Sequence, residues 1–306
     1  MPQTRGSWAQ LYDNVDKTVQ GVMLQQLKEL PAKWREVYNI KTSSRKFERV
    51  HSVLPFGDVP EKVEGAPYTT DLLQAGYTKD FTHVEFGLGF EHTQTAMEDD
   101  QESQLVQGSK WLAFSARVVQ EKRAARPFNN GFTTETTPDG VSFFNTAHVL
   151  KGGGTRRNQL ATDADLSVNS LTDMLTDLQT ETRDEADHLA APVDSLTLVV
   201  APASEFLASK LIESQLEPLT GDNDLNTVRT RRRWRLHVNP YLTDADAWFI
   251  GATDSGRHAL CTYVRVPIRA LPAKEDARTG NMIIKVRFRQ SWGAWQWQNW
   301  AGTSGG

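Results

Sequence analysis

Cysteine is almost missing from this chain of 306 residues, where Cys261 stands alone. No intramolecular disulfide and no cysteine-based metal site can be assembled, and a reducing, cytosolic origin is expected. No apolar run approaches the ~18–20 residues of a membrane-crossing helix, and the opening Met1-Pro2-Gln3-Thr4-Arg5 has no apolar signal core. An excess of charge is also lacking: 34 Lys and Arg stand against 38 Asp and Glu, a net of -4. That balance gives no general attraction to nucleic acid or to an acidic membrane. These absences predict a soluble, intracellular, globular protein with no membrane partner. The length suits one large domain or two modest ones with a sizeable core.

Signatures of chemistry are equally scarce. Lys151-Gly152-Gly153-Gly154-Thr155 has the composition of a phosphate loop, but its Lys precedes the glycines instead of following them at a helix start. It reads as a plain loop. Gly87-Leu88-Gly89-Phe90 lacks the third glycine of a dinucleotide fingerprint. The seven His residues form no His-Glu-x-x-His pair and no cluster at metal spacing. Glu91-His92 and Ala147-His148 read as structural or exposed, and Asp184, Glu185, Asp187 and His188 as the solvated end of a helix. Cys261 falls in a strand with no base nearby in sequence, which makes it an inert thiol. No catalytic residue, cofactor or metal is expected. An enzyme built on an α/β domain is an alternative that would need a deep polar pocket with perturbed acids or bases.

The chain is rich instead in aromatic side chains at its end. Ile284, Val286 and Phe288 alternate with Lys285, Arg287 and Arg289, a period-2 strand. It runs into Trp292, Trp295, Trp297 and Trp300, then a small-residue tail. Burying such side chains is worth several kcal/mol, so this segment must dock on the body of the fold or on a neighbouring chain.

Upstream, apolar residues recur at helical spacing over 7–30 (Trp8, Leu11, Tyr12, Val15, Val19, Val22, Met23, Leu27), with Ser7 as N-cap and Pro31 as stop. Residues 47–90 read as a long open hairpin with arms Phe47 to Leu54 and Tyr77 to Phe90 around a Gly- and Pro-rich tip. Such a ribbon is marginal alone and should rest on something else. A long helix follows from about Thr95 to Arg126. Glu98, Asp99, Asp100 and Glu102 stand at its start, Lys122, Arg123 and Arg126 at its end, and Pro127 just beyond. Residues 129–163 are loop-rich. An α/β pattern then follows: helix Ser167 to Leu189, strand 196–200, helix Ser204 to Gln215, and strands at 235–238, 247–250 and 260–266. The run Arg229-Thr-Arg-Arg-Arg-Trp-Arg235 could grip phosphates or pair with carboxylates of another subunit. In an acidic chain the second reading is favoured.

That order of elements resembles the tailed-phage major capsid proteins of the Hong Kong 97-like fold, and among them the major head subunits of Mu-like phages. Phe143-Phe-Asn-Thr-Ala-His148 followed by Gly152-Gly-Gly-Thr155 and Asn158 is similar to the loop leading into that family's axial domain. Leu198-Val-Val-Ala-Pro-Ala203 with Leu236 to Ile250 is similar to its strand–helix–strand core, and Phe86 to Asp100 to the start of its spine helix. The resemblance implies an α+β fold with an N-terminal arm (1–45), an extended β-hairpin loop (46–85), and a peripheral domain with the spine helix (86–140). An axial domain with a helix-flanked sheet (141–272) and a C-terminal return to the peripheral domain (273–306) complete it. It implies a structural, non-enzymatic subunit that self-assembles into pentamers and hexamers of an icosahedral shell around double-stranded DNA. The subunit would be assembled in the host bacterial cytoplasm and located in the virion. A separate scaffold protein is expected, since no long scaffolding segment precedes the hairpin. Portal and decoration proteins, and weak non-specific contact with DNA, complete the implied partners. The residues expected at subunit interfaces are Trp8, Leu11, Tyr12, Phe56, Tyr68, Arg229, Arg231, Arg232, Arg233, Arg235, Trp292, Trp295, Trp297 and Trp300. An encapsulin-like compartment holding a cargo enzyme is the alternative use of the same fold.

Overall fold

The computed structural model describes residues 5–93, 95–96, 104–189, 193–218, 225–253, 259–276 and 278–306, without the side chains of residues 5–16 and 275. Two four-stranded sheets organise them, each facing helices, together with two two-stranded pairs, the smaller of which joins β5 (His148–Val149) and β6 (Thr155–Arg156).

The first sheet has the order β1-β10-β11-β4, where β1 is Asn39–Thr42, β4 Val84–His92, β10 Leu260–Glu275 and β11 Met282–Ala294. The alternation of β11 is realised: Met282, Ile284, Val286 and Phe288 are buried and Lys285 is exposed. The buried face meets two helices, α1 (Arg5–Glu29) and α2 (Gln104–Asn129). Val19 and Met23 of α1, Leu112, Ala113 and Ala116 of α2, and the apolar face of β11 form one cluster. Arg117 of α2 donates to the Leu27 carbonyl, 3.1 Å, near the C-terminus of α1, where free carbonyls need a donor. The arm helix therefore lies against the chain's own body. Ser7 sits inside α1 and does not cap it. Removing residues 1–30 would strip Val19 and Met23 from the core.

Helix α2 has 26 residues, about 39 Å at 1.5 Å per residue. It runs through Pro127, where the sequence suggests a stop. A proline so near the end forfeits a single backbone bond, and buried Phe128, packed against Phe249 and Trp300, holds the last turn in place. The acidic residues Glu98, Asp99, Asp100 and Glu102 lie outside the described residues.

The second sheet has the order β12-β9-β7-β8, where β7 is Ser195–Val200, β8 Arg233–Val238, β9 Trp248–Gly251 and β12 Trp300–Thr303. Leu196, Leu198 and Val200 face helices α3 (Val168–Thr180) and α4 (Glu205–Glu213). Val199 and Phe249 face the opposite way, onto Phe128, Phe143, Phe144 and Trp300. Ser167 caps α3 reciprocally with Ser170. The helix ends at Thr180 and not near Leu189. Beyond it the Asp184 carboxylate accepts the backbone N–H groups of Ala186 and His188, 3.0 and 2.9 Å, a local turn that competes with helix. Two strands cross the expected limits: β10 pairs with β11 in the first sheet, and β12 completes the second.

The expected hairpin is a ribbon of β2 (Phe47–Val53) and β3 (Ala75–Thr82), paired from Phe47↔Thr82 to Val53↔Ala75. Its second arm does not continue to Phe90. The chain breaks at His83, and β4 turns away to pair with β11. His83 is buried between the hydroxyls of Ser291 and Ser43, 3.1 and 2.9 Å.

Burial, with Arg289 nearby, holds the His83 pKa below its ordinary value. Burial does the same to His237, against the opposing pull of Glu36 at 2.9 Å. The folded chain therefore binds fewer protons than the unfolded one just below pH ~6.5. Stability from these two sites is complete above that value and lost as pH falls through the folded pKa values. The urea midpoint should decline from pH 7 to pH 5, and less steeply in His237→Gln. Equal slopes in both proteins would show that His237 contributes nothing.

Candidate assembly surfaces

The ribbon is fixed firmly along its length. Lys79 donates to the Ala294 carbonyl at the end of β11, 2.8 Å, to the Thr136 carbonyl, and to Glu135 Oε1 at 3.4 Å. Burial lowers its pKa and Glu135 partly restores it. Tyr77 donates to the Val149 carbonyl, 2.9 Å. Phe81 packs with Cys261 and Tyr263 beneath Val50 and Trp295. The same burial pushes the Cys261 thiol up and Tyr263 up to about 12, so Cys261 is inert. Closer to the root, Arg49 grips Asp80 with two bonds of 2.7 Å.

Its tip is different. Residues 54–74 form neither helix nor strand, and they expose Phe56, Val59 (96%), Val63, Tyr68 (81%), Leu72 (80%) and Leu73. A run of exposed apolar groups of this kind marks an interaction site.

A second apolar area lies on α2 and β4. Trp111 (58% exposed) and Phe114 stand edge to face, ring centres 5.7 Å apart. Ser115 and Val119, one and two turns beyond Trp111, help line a groove of about 200 Å³ with Phe86, Leu88 and Phe288. The chain packs tightly here: a Cβ on Gly108 would come within 2.8 Å of the Phe90 ring. Strand β4 is an edge of its sheet, and Val84 and Leu88 are exposed along it.

The tryptophan segment passes from one sheet to the other. Trp292 packs on Phe86, ring centres 6.0 Å apart. Trp297 stacks flat on His148, 4.4 Å and 6°. Trp300 lies against Phe128 at 5.1 Å, and a Cβ on Gly251 would strike its ring at 2.3 Å. The Asn158 amide donates to the carbonyls of Phe143, Trp297 and Trp300, at 2.8, 3.3 and 3.0 Å. His148 lies between Asn158 Oδ1, 3.0 Å, and the buried carboxylate of Asp139, 2.6 Å. Beside this segment is a cavity of about 330 Å³ reached by Asp139, Tyr77, Glu185 and Trp295. Its acids are engaged in holding loops: Asp139 by Thr137 and His148, Glu185 by the backbone of Lys151 and Gly152. Among the described residues, no group of three or more His, Cys, Asp or Glu is placed to hold a metal ion.

The model of the family described as phage capsid protein matches residues 76–302, well over half of the chain. This chain belongs to the phage capsid protein family. Known structures agree on the fold. The capsid of an empty GTA particle is 11% identical, with a TM-score of 0.53 over 89% of this chain and 88% of that one. The procapsid of bacteriophage JBD30 is 15% identical, with a TM-score of 0.53 over 98% and 76%. The virus-like particle from Pyrococcus furiosus is 9% identical, with a TM-score of 0.55 over 94% and 98%. At such identities the likeness is one of fold alone. No curated protein sequence matches this chain.

For a capsid-family subunit, the residues expected at interfaces fall into distinct places. Phe56 and Tyr68 are on the exposed tip. Trp8, Leu11 and Tyr12 lie in the first turns of α1, their side chains outside the described part. Arg229 and Arg231 belong to a short helix α5 (Thr227–Arg231), and Arg233 and Arg235 to the edge strand β8; all four are exposed. Arg232 is half-buried and donates to the Val193 carbonyl, 2.9 Å. Trp292 and Trp295 are half-buried. Trp297 and Trp300 are a correction: they lie inside the subunit's own core, because the chain between the sheets must cross the space that they fill. Trp111, Phe114, Val59 and Leu72 are exposed residues that the sequence reading did not select. An apolar residue in a Gly- and Pro-rich stretch was a usable signal for the two in the tip.

Trp300, 2% exposed, is a stability residue of the single subunit. Trp300→Ala should cost about 3–5 kcal/mol in denaturant unfolding of the unassembled subunit. A loss of assembly with unfolding unchanged would return Trp300 to the subunit boundary.

Proposed function

We propose that this chain is the major capsid subunit of a tailed phage, joining copies of itself in pentamers and hexamers that close an icosahedral shell around double-stranded DNA. The observation that carries the reading is the ribbon. Its strands are clamped to the body by Lys79 and Tyr77, while its tip displays apolar side chains to solvent. An apolar surface on a fixed stalk has to be covered, and in a shell the neighbouring copy covers it. The outer side of α2 and β4, with Trp111, Phe114 and Leu88, is the receiving face. Each contact can be modest, because closed symmetry repeats it in every subunit. Family membership supports the same reading and a place in the virion.

Assembly in the host bacterial cytoplasm with a separate scaffold, and contacts with portal and decoration proteins, belong to this reading. A net charge of -4 keeps contact with the packaged DNA weak and non-specific. The role is structural and not catalytic. A compartment holding a cargo enzyme is the second reading, favoured by the fold shared with the Pyrococcus furiosus particle. The contents of purified particles, nucleic acid or protein, separate the two.

Electron microscopy of the protein, expressed alone and beside its genomic neighbours, should show shells, tubes or capsomer rings. Replacing residues 55–73 by a short Gly-Ser turn should leave the unfolding midpoint unchanged and abolish closed shells. Normal shells from that variant would remove the tip from the mechanism. A 34 kDa monomer in every condition would overturn the capsid reading.

A further inference from the structure

The second sheet carries opposite charges at its two edges. Strand β8 is one edge, and Arg231, Arg233 and Arg235 lie exposed on it and on the helix just before it. Among the described residues none of the three is within ion-pair distance of a carboxylate. Strand β12 is the other edge, three strands away, on the order of 14 Å at 4.8 Å per strand. Beside it stand Asp163, Asp165 and Asp246, all exposed and none ion-paired among the described residues. Hydrogen bonds from Gln159, Thr303 and Ser304 lower the Asp163 pKa, despite the opposing effect of burial. Asp165 accepts the Gly306 N–H, 2.9 Å, and Gly305 brings Asp246 to the same corner. The register places Arg235 level with Thr197 and Gly251, and Asp246 beyond the opposite end of β9. The two charged groups therefore stand at diagonal corners of the sheet.

We propose that this diagonal is the head-to-tail contact of the ring: the arginine edge of one copy pairs with the aspartate corner of the next copy of this chain. The inference rests on the capsid reading and supplies the polarity that reading leaves open. Two unlike, complementary patches on one subunit make a heterologous contact, which closes into a ring when the rotation allows. A ring needs both patches at one height along its axis, which lays the diagonal along the circumference. Arginine suits the task, since its planar fork binds a carboxylate with two bonds. Charge on an edge strand also blunts unwanted strand pairing. That role is indifferent to sign, and reversing the sign tells the two apart.

The test uses two charge-reversed variants of the full chain, Arg233→Glu/Arg235→Glu and Asp165→Lys/Asp246→Lys, checked first for an unchanged unfolding midpoint. Each alone should lose capsomer rings and shells while the wild type forms them. Mixed in equal amounts they should associate in sedimentation, because every contact is again between opposite charges. The mixture must alternate, so it can form six-membered rings and not five-membered ones, giving tubes or sheets without closed shells. Wild-type rings should weaken from 0.1 to 1 M salt, as screening shortens from ~10 to ~3 Å. Normal shells from either folded variant, or a mixture that stays monomeric, would overturn the proposal. A wild type that forms no particle would sink the capsid reading, while sedimentation of the mixture still decides the pairing.

Discussion

One side-chain amide pins the crossing between the two sheets of this subunit, inside the aromatic cluster that they share. Asn158 reaches three backbone carbonyls, two of them on the segment by which the chain leaves the first sheet and enters the second. Strand β11 lies between β10 and β4, and β12 borders β9. The few residues between them are the covalent and packing link between two layers. The Trp297 carbonyl takes one further bond, from the Trp300 N–H at 3.1 Å, and a buried carbonyl left without a partner costs about 1–3 kcal/mol. Asn158 meets these carbonyls, His148 braces Asn158 from one side while stacking on Trp297, and Asp139 braces His148. A network satisfied at every member is rigid, and one that loses a member is costly. The path of the chain from β11 to β12 is fixed by it, and the shared aromatic cluster sets the sheets against each other.

The sequence was legible where a period was long and one face was buried. Strand β11 alternates because one side meets α1 and α2 and the other meets solvent, and that pattern survives intact in the fold. The tryptophans were legible as buried, but burial does not say by what. An aromatic pocket in the same chain and one in the next chain ask for the same residues, so Trp297 and Trp300 could not be assigned from composition. Boundaries failed where polar geometry overrode a continuing apolar pattern. At His83 the alternation runs on from β3 into β4 with no glycine or proline to mark the break, and it is two serine hydroxyls that hold the turn. After Thr180 the apolar spacing reaches Leu189, yet the Asp184 carboxylate closes a turn first. Strand β1 and strand β12, of four residues each, are too short to carry a period.

What the fold leaves outside is as informative as what it buries. Groups that decide the stability of one subunit, such as Trp300, Asn158 and Val19, are inside. The groups left exposed are of two kinds, apolar on the tip and on α2, and charged at the sheet edges. These kinds act over different ranges. Apolar burial is short-ranged and insensitive to salt, whereas unpaired charges act across about a Debye length and orient partners before contact. In a shell the two can divide the work. On the proposed contacts, edge charges choose which side of a neighbour is met and so set the ring, and the tip then covers apolar surface and adds area. A subunit with sticky tips alone would associate in many registers, and one with charged edges alone would fall apart in salt. That both kinds of surface project from a core already complete in itself is why a single chain can be stable before assembly and still be specific when it assembles.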